Sequence, residues 1–183
     1  KTILNMIIAD YPKFKFINID KNYGYGYGIL KGLSICKGDI VGWTHADLET
    51  DPLDLLTAFS FFLKNKNNYY LKGTRKGRLS FLTISMSIIA SIFLFKFFND
   101  INAQPTLFPK RLLNKFNNPP KNFNLDLYSY YLAKKNKYKI QRIKVKFGNR
   151  IYGISSWKNN TISRYKVILN SLIYILILSI KRK

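Results

Sequence analysis

Segments with a helical spacing of apolar residues alternate with strand-like segments along this chain, and that alternation restricts its fold more than any other feature. Alternating helices and strands predict an α/β fold in which helices flank a mostly parallel sheet. In sheets of this kind, binding sites lie at the carboxyl ends of the strands. Helices are predicted at residues 1–10, 29–36, 52–63, 125–135 and 165–180, a long apolar segment at 79–98, and strands at 14–19, 39–44, 68–72, within 99–111 and at 140–147.

The chain has the length and apolar content of one folded domain. It contains 183 residues, of which 47% are hydrophobic, and no repeat or long linker divides it. We expect residues 1–158 to form this domain and residues 159–183 to add a C-terminal helix that is apolar with basic ends. One Cys, Cys36, and one His, His45, exclude an internal disulfide and any metal site built from several cysteines or histidines.

Basic residues dominate the charge, since 31 Lys and Arg oppose 9 Asp and Glu and give a formal net charge of +22. This balance favours anionic partners, namely nucleotide phosphates, anionic lipids or nucleic acid. The alternative explanation is biased codon usage, because the chain is rich in Lys, Asn, Ile, Phe and Tyr. The few acids are more informative: four of them lie between Asp47 and Asp54, and none follows Asp126. Their grouping indicates a site.

The acidic group directly follows the predicted strand 39–44 and includes Asp47 and Glu49. These two acids are two residues apart, so in an extended backbone their carboxylates point to the same side. Mg²⁺ and Mn²⁺ prefer oxygen ligands, and two carboxylates at a strand end can hold such an ion against a diphosphate. The alternative is a helix N-terminus that carries acids, which the helix dipole favours and which Asp51 and Asp54 fit.

Two further segments have the composition of phosphate-binding sites. The glycine- and tyrosine-rich turn at residues 22–28 follows a predicted strand and precedes a helix, where glycines let the backbone approach a phosphate. The basic segment at residues 72–78 is predicted to be a loop from Gly73 to Gly77, and it contains Arg75, whose guanidinium can bind a phosphate with two donors. A flexible turn and a solvated basic loop are the respective alternatives.

Four short motifs occur in a fixed order: Asn-x-Gly-x-Gly from Asn22, Gly-Asp-Ile-Val from Gly38, x-Ala-Asp ending at Asp47, and Gly-x-Arg ending at Arg75. Their order and spacing resemble the family-two glycosyltransferases with the GT-A fold, and among them the polyprenyl-phosphate glycosyltransferases such as dolichyl-phosphate mannose synthase. The resemblance covers residues 1–155. It implies a nucleoside-diphosphate sugar donor and an acceptor that is a polyprenyl phosphate or is glycan- or lipid-linked, in cell-envelope glycan synthesis.

The resemblance assigns the metal site to Asp47, Glu49 and His45, with Mg²⁺ or Mn²⁺ as the ion. In the family this motif is Asp-Ala-Asp, often with Gln two residues further on, and His45 takes the place of the first Asp. Imidazole suits softer metals than Mg²⁺, so this exchange weakens a magnesium site. Glu49 stands at the position of the Gln and adds a negative charge.

The resemblance also implies roles outside the metal site. Arg75 and Arg78 would contact phosphate, and Asp126 or Asp100 would act as the general base if the acceptor is a sugar hydroxyl. A polyprenyl phosphate would need no base, because its oxygen is already anionic. The residues implied to bind the donor are Asn22, Gly24, Gly28, Asp39, Arg150 and Ser155.

Family members begin with a strand that this sequence does not provide before Lys1. In the fold that the resemblance implies, this first strand lies between the strand at residues 14–19 and the strand that leads to Asp47. We therefore expect a sheet without its first strand and without direct pairing of those two segments. Unpaired backbone groups are costly when buried, so the 183-residue chain on its own is expected to be aggregation-prone or molten, and inactive.

The C-terminal segment bears on location. Residues 167–180 are apolar for 14 positions with polar breaks, fewer than the ~20 residues that a spanning helix needs. With basic flanks this helix could lie on an anionic membrane, or it could pack on the core. We expect a cytoplasmic protein held peripherally on the inner face of the cell membrane. The competing interpretations of the whole chain are a basic nucleic-acid-binding module and an inactive fragment.

Overall fold

The computed structural model describes residues 11, 13–47, 49–65, 68–76, 81–146, 148 and 161–181. Within these residues it contains four strands, five α-helices and one 3-10 helix. In chain order they are α1 (Tyr25–Ile35), β1 (Ile40–Trp43), α2 (Asp54–Lys64), β2 (Tyr69–Lys76), α3 (Phe81–Leu94), β3 (Thr106–Pro109), the 3-10 helix (Lys110–Lys115), α4 (Asn124–Lys135), β4 (Lys139–Lys146) and α5 (Thr161–Ile180).

The four strands form one sheet in the order β1-β3-β2-β4. β3 is antiparallel to both of its neighbours, β1 and β2, whereas β2 and β4 are parallel. Three strands therefore run in one direction and β3 runs in the other, which agrees with the predicted mostly parallel sheet. The carboxyl ends of β1, β2 and β4 consequently lie at the same edge of the sheet, together with the amino end of β3.

Helices cover both faces of the sheet. Successive residues of a strand point to opposite faces, so neighbouring strand residues belong to different packing layers. On one face Tyr70 stacks on Phe108, with 5.5 Å between the ring centroids, and belongs to the large core that includes side chains of α1, α3, α4 and α5. On the other face Leu71 packs against Ala58 and Phe62 of α2. The result is the layered α/β architecture that the alternating sequence predicts.

The element predictions inside the described residues are confirmed with shifted boundaries, except at residues 14–19, where the strand prediction is wrong. That segment has no strand, and Phe14 and Phe16 are 68% and 54% exposed. Its alternating pattern fits a strand, but a strand is stabilised by pairing, and no described neighbour pairs with it. The helix predicted at residues 1–10 lies outside the described residues.

β1 forms one edge of the described sheet, since it pairs with β3 alone among the described strands. Residues 14–19 do not pair with β1 in the part of the chain that the structure describes. None of the described helices combines the length and the apolarity needed to cross a bilayer.

Candidate active site

A row of four side chains crosses the sheet near the edge where β1, β2 and β4 end. Trp43 of β1 is opposite Thr106 of β3, Thr106 is opposite Lys72 of β2, and Lys72 is opposite Arg142 of β4. Residues directly opposite each other on neighbouring strands point to the same face. This row lies against α4, because Trp43 and Lys72 bond to Asp126 and Arg142 bonds to the hydroxyl of Tyr130.

Asp126, in the first turn of α4, is the centre of a buried hydrogen-bond network. Its carboxylate accepts hydrogen bonds from the Tyr25 hydroxyl at 2.8 Å, the Trp43 indole at 3.2 Å and the Lys72 ammonium at 3.5 Å. Asp126 is 2% exposed and Lys72 is fully buried. The amide of Gln104 donates to the same Tyr25 hydroxyl, so the network extends to the segment before β3.

Burial governs the protonation of this network. It lowers the pKa of Lys72 to about 8, because the loss of water disfavours the ammonium more than the nearby Asp126 carboxylate favours it. Burial and the same carboxylate raise the pKa of Tyr25 well above its ordinary value. Tyr25 therefore remains a hydrogen-bond donor to Asp126 across the physiological pH range, and the Lys72 ammonium is close to its titration point.

The loop after β1 brings three candidate metal ligands together. His45, Asp47 and Glu49 each offer one ligand atom, and these atoms lie within 4.8 Å of one another. The Glu49 amide donates to the Asp47 carboxylate at 3.2 Å, which folds the loop so that both acids face one point. The Gly148 amide, just after β4, donates to the Glu49 carbonyl at 2.8 Å and ties the two strand ends together.

The three side chains of this cluster fit a divalent cation. All three are partly buried, so an ion would be partly shielded from water. Burial lowers the pKa of His45, which favours the neutral imidazole whose nitrogen lone pair can bind a metal. The two carboxylates suit Mg²⁺ and Mn²⁺, and the imidazole shifts the preference of the set away from Mg²⁺. Asp51 is not part of the cluster. Its carboxylate accepts a hydrogen bond from the Leu53 amide at 2.9 Å.

Arg75 and Asp100 form an ion pair at the carboxyl end of β2. Nε of Arg75 and its backbone amide each donate to a different oxygen of the Asp100 carboxylate, both at 2.9 Å, and Nη2 adds a further bond. Asp100 is 1% exposed and has a φ of +40°, a conformation that Asp tolerates better than most residues. Both of its oxygens are engaged, so Asp100 positions Arg75 in this structure, and the predicted role of general base has no geometric support.

Arg142 fixes the loop that carries Asp100. Its guanidinium donates to the carbonyls of Gly73 at 2.7 Å and Asn99, and also contacts the Tyr130 hydroxyl at 3.2 Å. Because β2 continues to Lys76, residues 73–76 are strand rather than the predicted loop. The Arg75 side chain is therefore positioned by sheet register, by Asp100 and, through the loop, by Arg142.

The glycine-rich turn has a packing role in addition to any ligand role. Gly24 has a φ of +109°, which favours glycine, and its amide donates to the Asn22 side chain at 2.9 Å. A Cβ on Gly26 would lie 2.7 Å from the carbonyl oxygens of Pro120 and Asn122. The glycines thus allow the chain before α4 to cross the start of α1 closely, and nothing lies within 4 Å of a Cβ built on Gly28.

An open depression of about 530 Å³ adjoins this turn. It is lined by the predicted donor-binding residues Asn22, Gly24 and Gly28, and also by Tyr25 and Phe123, whose rings stack with their centroids 4.8 Å apart. Tyr25 links this depression to the buried network, because its hydroxyl bonds to Asp126 on the other side.

The remaining predicted site residues are not joined to this arrangement. Asp39 is exposed and precedes β1, so the four residues of that strand, about 13 Å, separate it from the loop that carries His45. Its carbonyl accepts from the Lys110 amide at 2.7 Å. Arg78, Arg150 and Ser155 lie outside the described residues.

Sequence reasoning missed the roles of Lys72, Tyr25 and Arg142. Lys72 ends the predicted strand 68–72 and starts the basic segment, and a lysine in a basic run gives no sign that its partner is 54 residues further along the chain. Tyr25 belongs to the predicted glycine- and tyrosine-rich turn, which gives no sign of its bond to Asp126. Arg142 sits at a partly buried position of a strand that carries three lysines, and strand register alone would have placed it beside Lys72.

Comparison with known proteins agrees with this architecture. The sequence profile described as glycosyl transferase family 2 matches residues 1–109, which include β1, β2, β3 and the metal-ligand loop. The chain therefore belongs to glycosyl transferase family 2. A search of curated proteins gave no match.

Solved structures of glucosyl-3-phosphoglycerate synthase from Mycobacterium tuberculosis share the fold. The complex with phosphoglyceric acid has a TM-score of 0.61 at 12% identity and matches 94% of this chain and 59% of its own chain. The complex with Mn²⁺, uridine diphosphate and phosphoglyceric acid has a TM-score of 0.62 at 14% identity, with coverages of 94% and 57%. The predicted GT-A fold is confirmed, and the chain spans less than three fifths of the length of these proteins.

Proposed function

We propose that this chain carries the donor-binding part of a glycosyltransferase that uses a nucleoside-diphosphate sugar. The observation that carries the proposal is the convergence of His45, Asp47 and Glu49 within 4.8 Å at the carboxyl edge of a family-two sheet. This edge is where α/β sheets bind ligands. The depression lined by Asn22 and Gly28 is the candidate site for the nucleoside.

His45, Asp47 and Glu49 would hold Mn²⁺ or Mg²⁺. When bound, the ion would offset the negative charge that develops on a departing diphosphate. The same glucosyl-3-phosphoglycerate synthase binds Mn²⁺ together with uridine diphosphate, which supports this assignment by fold and not by sequence identity. Arg75, held by Asp100 at the carboxyl end of β2, would contact a phosphate of the donor, because a planar guanidinium matches phosphate oxygens with two donors.

The acceptor proposed here is a polyprenyl phosphate or a related lipid- or glycan-linked acceptor of cell-envelope glycan synthesis. A phosphate oxygen is a nucleophile without a general base, which suits a site where Asp100 and Asp126 are both buried and hydrogen-bonded. A small phosphorylated acceptor is the second candidate, because solved relatives bind phosphoglyceric acid or glycerol 3-phosphate. We further propose that the enzyme acts in the cytoplasm at the inner face of the cell membrane.

Thermal unfolding in a panel of nucleoside diphosphates tests the proposal. The wild-type chain should gain melting temperature when MnCl₂ and the matching nucleoside diphosphate are present together, and less with either alone. Asp47→Asn should lose the joint effect, while Asp51→Asn, an exposed acid of the same loop, should keep it. No joint effect with any nucleoside diphosphate would reject donor binding by this chain. The matching radiolabelled nucleotide sugar then separates the acceptors, with polyprenyl phosphate and phosphoglyceric acid offered in parallel.

A further inference from the structure

Two helices that pack against each other keep apolar faces directed away from the protein. α3 and α5 are in contact, and both bury side chains in the core on the α4 side of the sheet. The buried residues are Ala90 and Leu94 on α3 and Ile175 and Leu178 on α5. A helix on the surface of a domain ordinarily places polar residues opposite such a buried face.

On α3 and the residue after it, exposed apolar side chains recur every three or four positions, opposite the buried face. Their exposed fractions range from 45% to 83%, so the whole stripe lies in the solvent. The members are Phe81, Ile84, Ile88, Ile92 and Phe95. Phe97, 75% exposed, continues the apolar surface beyond the end of the helix.

α5 repeats the pattern over its full length, which is about 30 Å for 20 residues. The exposed apolar residues again follow a spacing of three or four and lie opposite Ile175 and Leu178. They are Ile162, Tyr165, Leu169, Ile173, Leu176 and Ile180. Isolated exposed apolar residues are ordinary, but two contacting helices with such stripes are typical of an interaction surface.

The charges beside the stripes complement an anionic surface. Residues 81–98 and 161–183 contain no Asp or Glu, whereas Lys96, Lys166 and Lys181 lie on the same segments. Lys166 and Lys181 are exposed. Apolar side chains flanked by lysines, with no acid to be repelled, match the interface of a bilayer that contains anionic lipids. A folded protein partner would need both apolar and acidic groups at matching positions, a narrower requirement.

The stripe on α3 begins beside the candidate active site. Thr83, in the first turn of α3, accepts a hydrogen bond of 3.5 Å from Arg75. Phe81 and Ile84 are within one helical turn of Thr83. They therefore lie near Arg75, which the proposed function assigns to phosphate. Contact of this stripe with a bilayer would bring the carboxyl edge of the sheet to the level of lipid headgroups.

We propose that the outward stripes of α3 and α5 form a docking surface for an anionic lipid bilayer, on which the protein lies without crossing it. The link to a lipid-phosphate acceptor rests on the proposed function, whereas docking itself does not. Vesicle binding can be measured without donor, metal or sugar transfer, so the two proposals can fail separately.

Co-flotation of the 183-residue chain with vesicles tests the docking surface. The chain should float with vesicles of phosphatidylcholine and phosphatidylglycerol, and float less with phosphatidylcholine alone or at high salt. Leu169→Gln with Ile173→Gln and Leu176→Gln should lower the partition coefficient by about 10-fold or more, because three partly inserted side chains are lost. Asn170→Gln, an exposed neighbour outside the stripe, should leave it unchanged. Circular dichroism checks that the variants remain folded.

A second pair of variants tests the docking surface without removing three apolar side chains at once, which could unfold the protein. In a Cys36→Ser background, an environment-sensitive fluorophore on Leu169→Cys should shift to the blue on adding anionic vesicles, and one on Asn170→Cys should shift less. Equal shifts at both positions, or wild-type flotation by the triple variant, would overturn the proposal. A wild-type chain that binds neither vesicle type would also overturn the proposal. So would sedimentation velocity showing that the stripes join two copies of the chain instead.

Discussion

The two carboxylate groups at the carboxyl edge differ in almost every physical respect. Asp47 and Glu49 lie on a loop, partly exposed, and face one another and His45. Asp126 lies in a helix, almost fully buried, and receives hydrogen bonds from Tyr25, Trp43 and Lys72. The first group gathers two carboxylates and one imidazole on a single loop, and the second joins one carboxylate to donors from three other elements.

This difference separates binding from architecture. Two carboxylates and an imidazole gathered at a strand end are ligands that a divalent cation takes, so the proposed function assigns metal binding to this loop. The Asp126 network joins α1, β1, β2 and α4 below that loop, and it fixes where the loop starts. Loss of the network should therefore cost stability, and loss of the loop acids should cost ligand binding. The predictions below test that division in order of expected effect.

The largest effect is expected from Asp126→Ala. It leaves Lys72 as a buried cation that keeps a described hydrogen bond to the Thr106 hydroxyl at 3.1 Å and a contact with the Tyr130 ring at 6.0 Å, and it removes the acceptor of two further donors. The free energy of unfolding should fall by about 3–5 kcal/mol, measured by urea denaturation. Adding Lys72→Met should recover part of the loss, because the unpaired charge disappears. A change below about 1 kcal/mol would show that the network does not hold the elements together.

Asp47→Asn should have the opposite profile. We expect Mn²⁺ affinity in the presence of the matching nucleoside diphosphate to fall by about 100-fold by isothermal titration calorimetry, since one anionic ligand is removed. The free energy of unfolding should stay within about 0.5 kcal/mol of wild type, because Asp47 is partly exposed. Glu49→Gln should be milder, as Gln keeps an oxygen ligand. Destabilisation by Asp47→Asn as large as that by Asp126→Ala would erase the distinction between the two groups.

The pH dependence of stability reports on Lys72. Its pKa is about 8 in the folded chain against an ordinary 10.5, so between these values the unfolded chain binds more protons. The free energy of unfolding should therefore rise with pH through this window, by about 2 kcal/mol up to about pH 9.5, and the slope from Lys72 should vanish about one unit below its folded pKa. Raised tyrosine pKa values act against this only above about pH 10. Lys72→Met should flatten the rise, and a wild-type curve as flat as that of the variant would contradict it.

The smallest expected effect concerns Arg75. Arg75→Lys keeps the charge but cannot reproduce the pairing of Nε and Nη2 with Asp100, so the affinity for the matching nucleoside diphosphate with Mn²⁺ should fall by about 10-fold. Asp100→Asn should lower it similarly, and the double variant should cost little more than either single one. Additive losses from the two substitutions would mean that Asp100 does not act through Arg75.

The order of helices and strands could be predicted from the sequence, whereas most side-chain contacts between them could not. Helix and strand periodicity located β1, β2, β4 and most helices, and acid grouping located the metal-ligand loop, because both signals are local. The partners of Asp126 could not be predicted, since Tyr25, Trp43 and Lys72 come from three segments between 54 and 101 residues away. The strand predicted at residues 14–19 failed because alternation describes a strand's faces, and pairing with a neighbour decides whether it forms.

The central claim is that His45, Asp47 and Glu49 bind a divalent metal, and the chain contains a single histidine with which to test it. In a tag-free protein the two carbon-bound imidazole protons of His45 are therefore assigned without ambiguity by proton NMR. Substoichiometric MnCl₂ with the matching nucleoside diphosphate should broaden these two signals beyond detection, and MgCl₂ should leave them sharp. Asp47→Asn should require far more MnCl₂. Sharp His45 signals in a wild-type sample that binds Mn²⁺ would place the metal elsewhere and contradict the account.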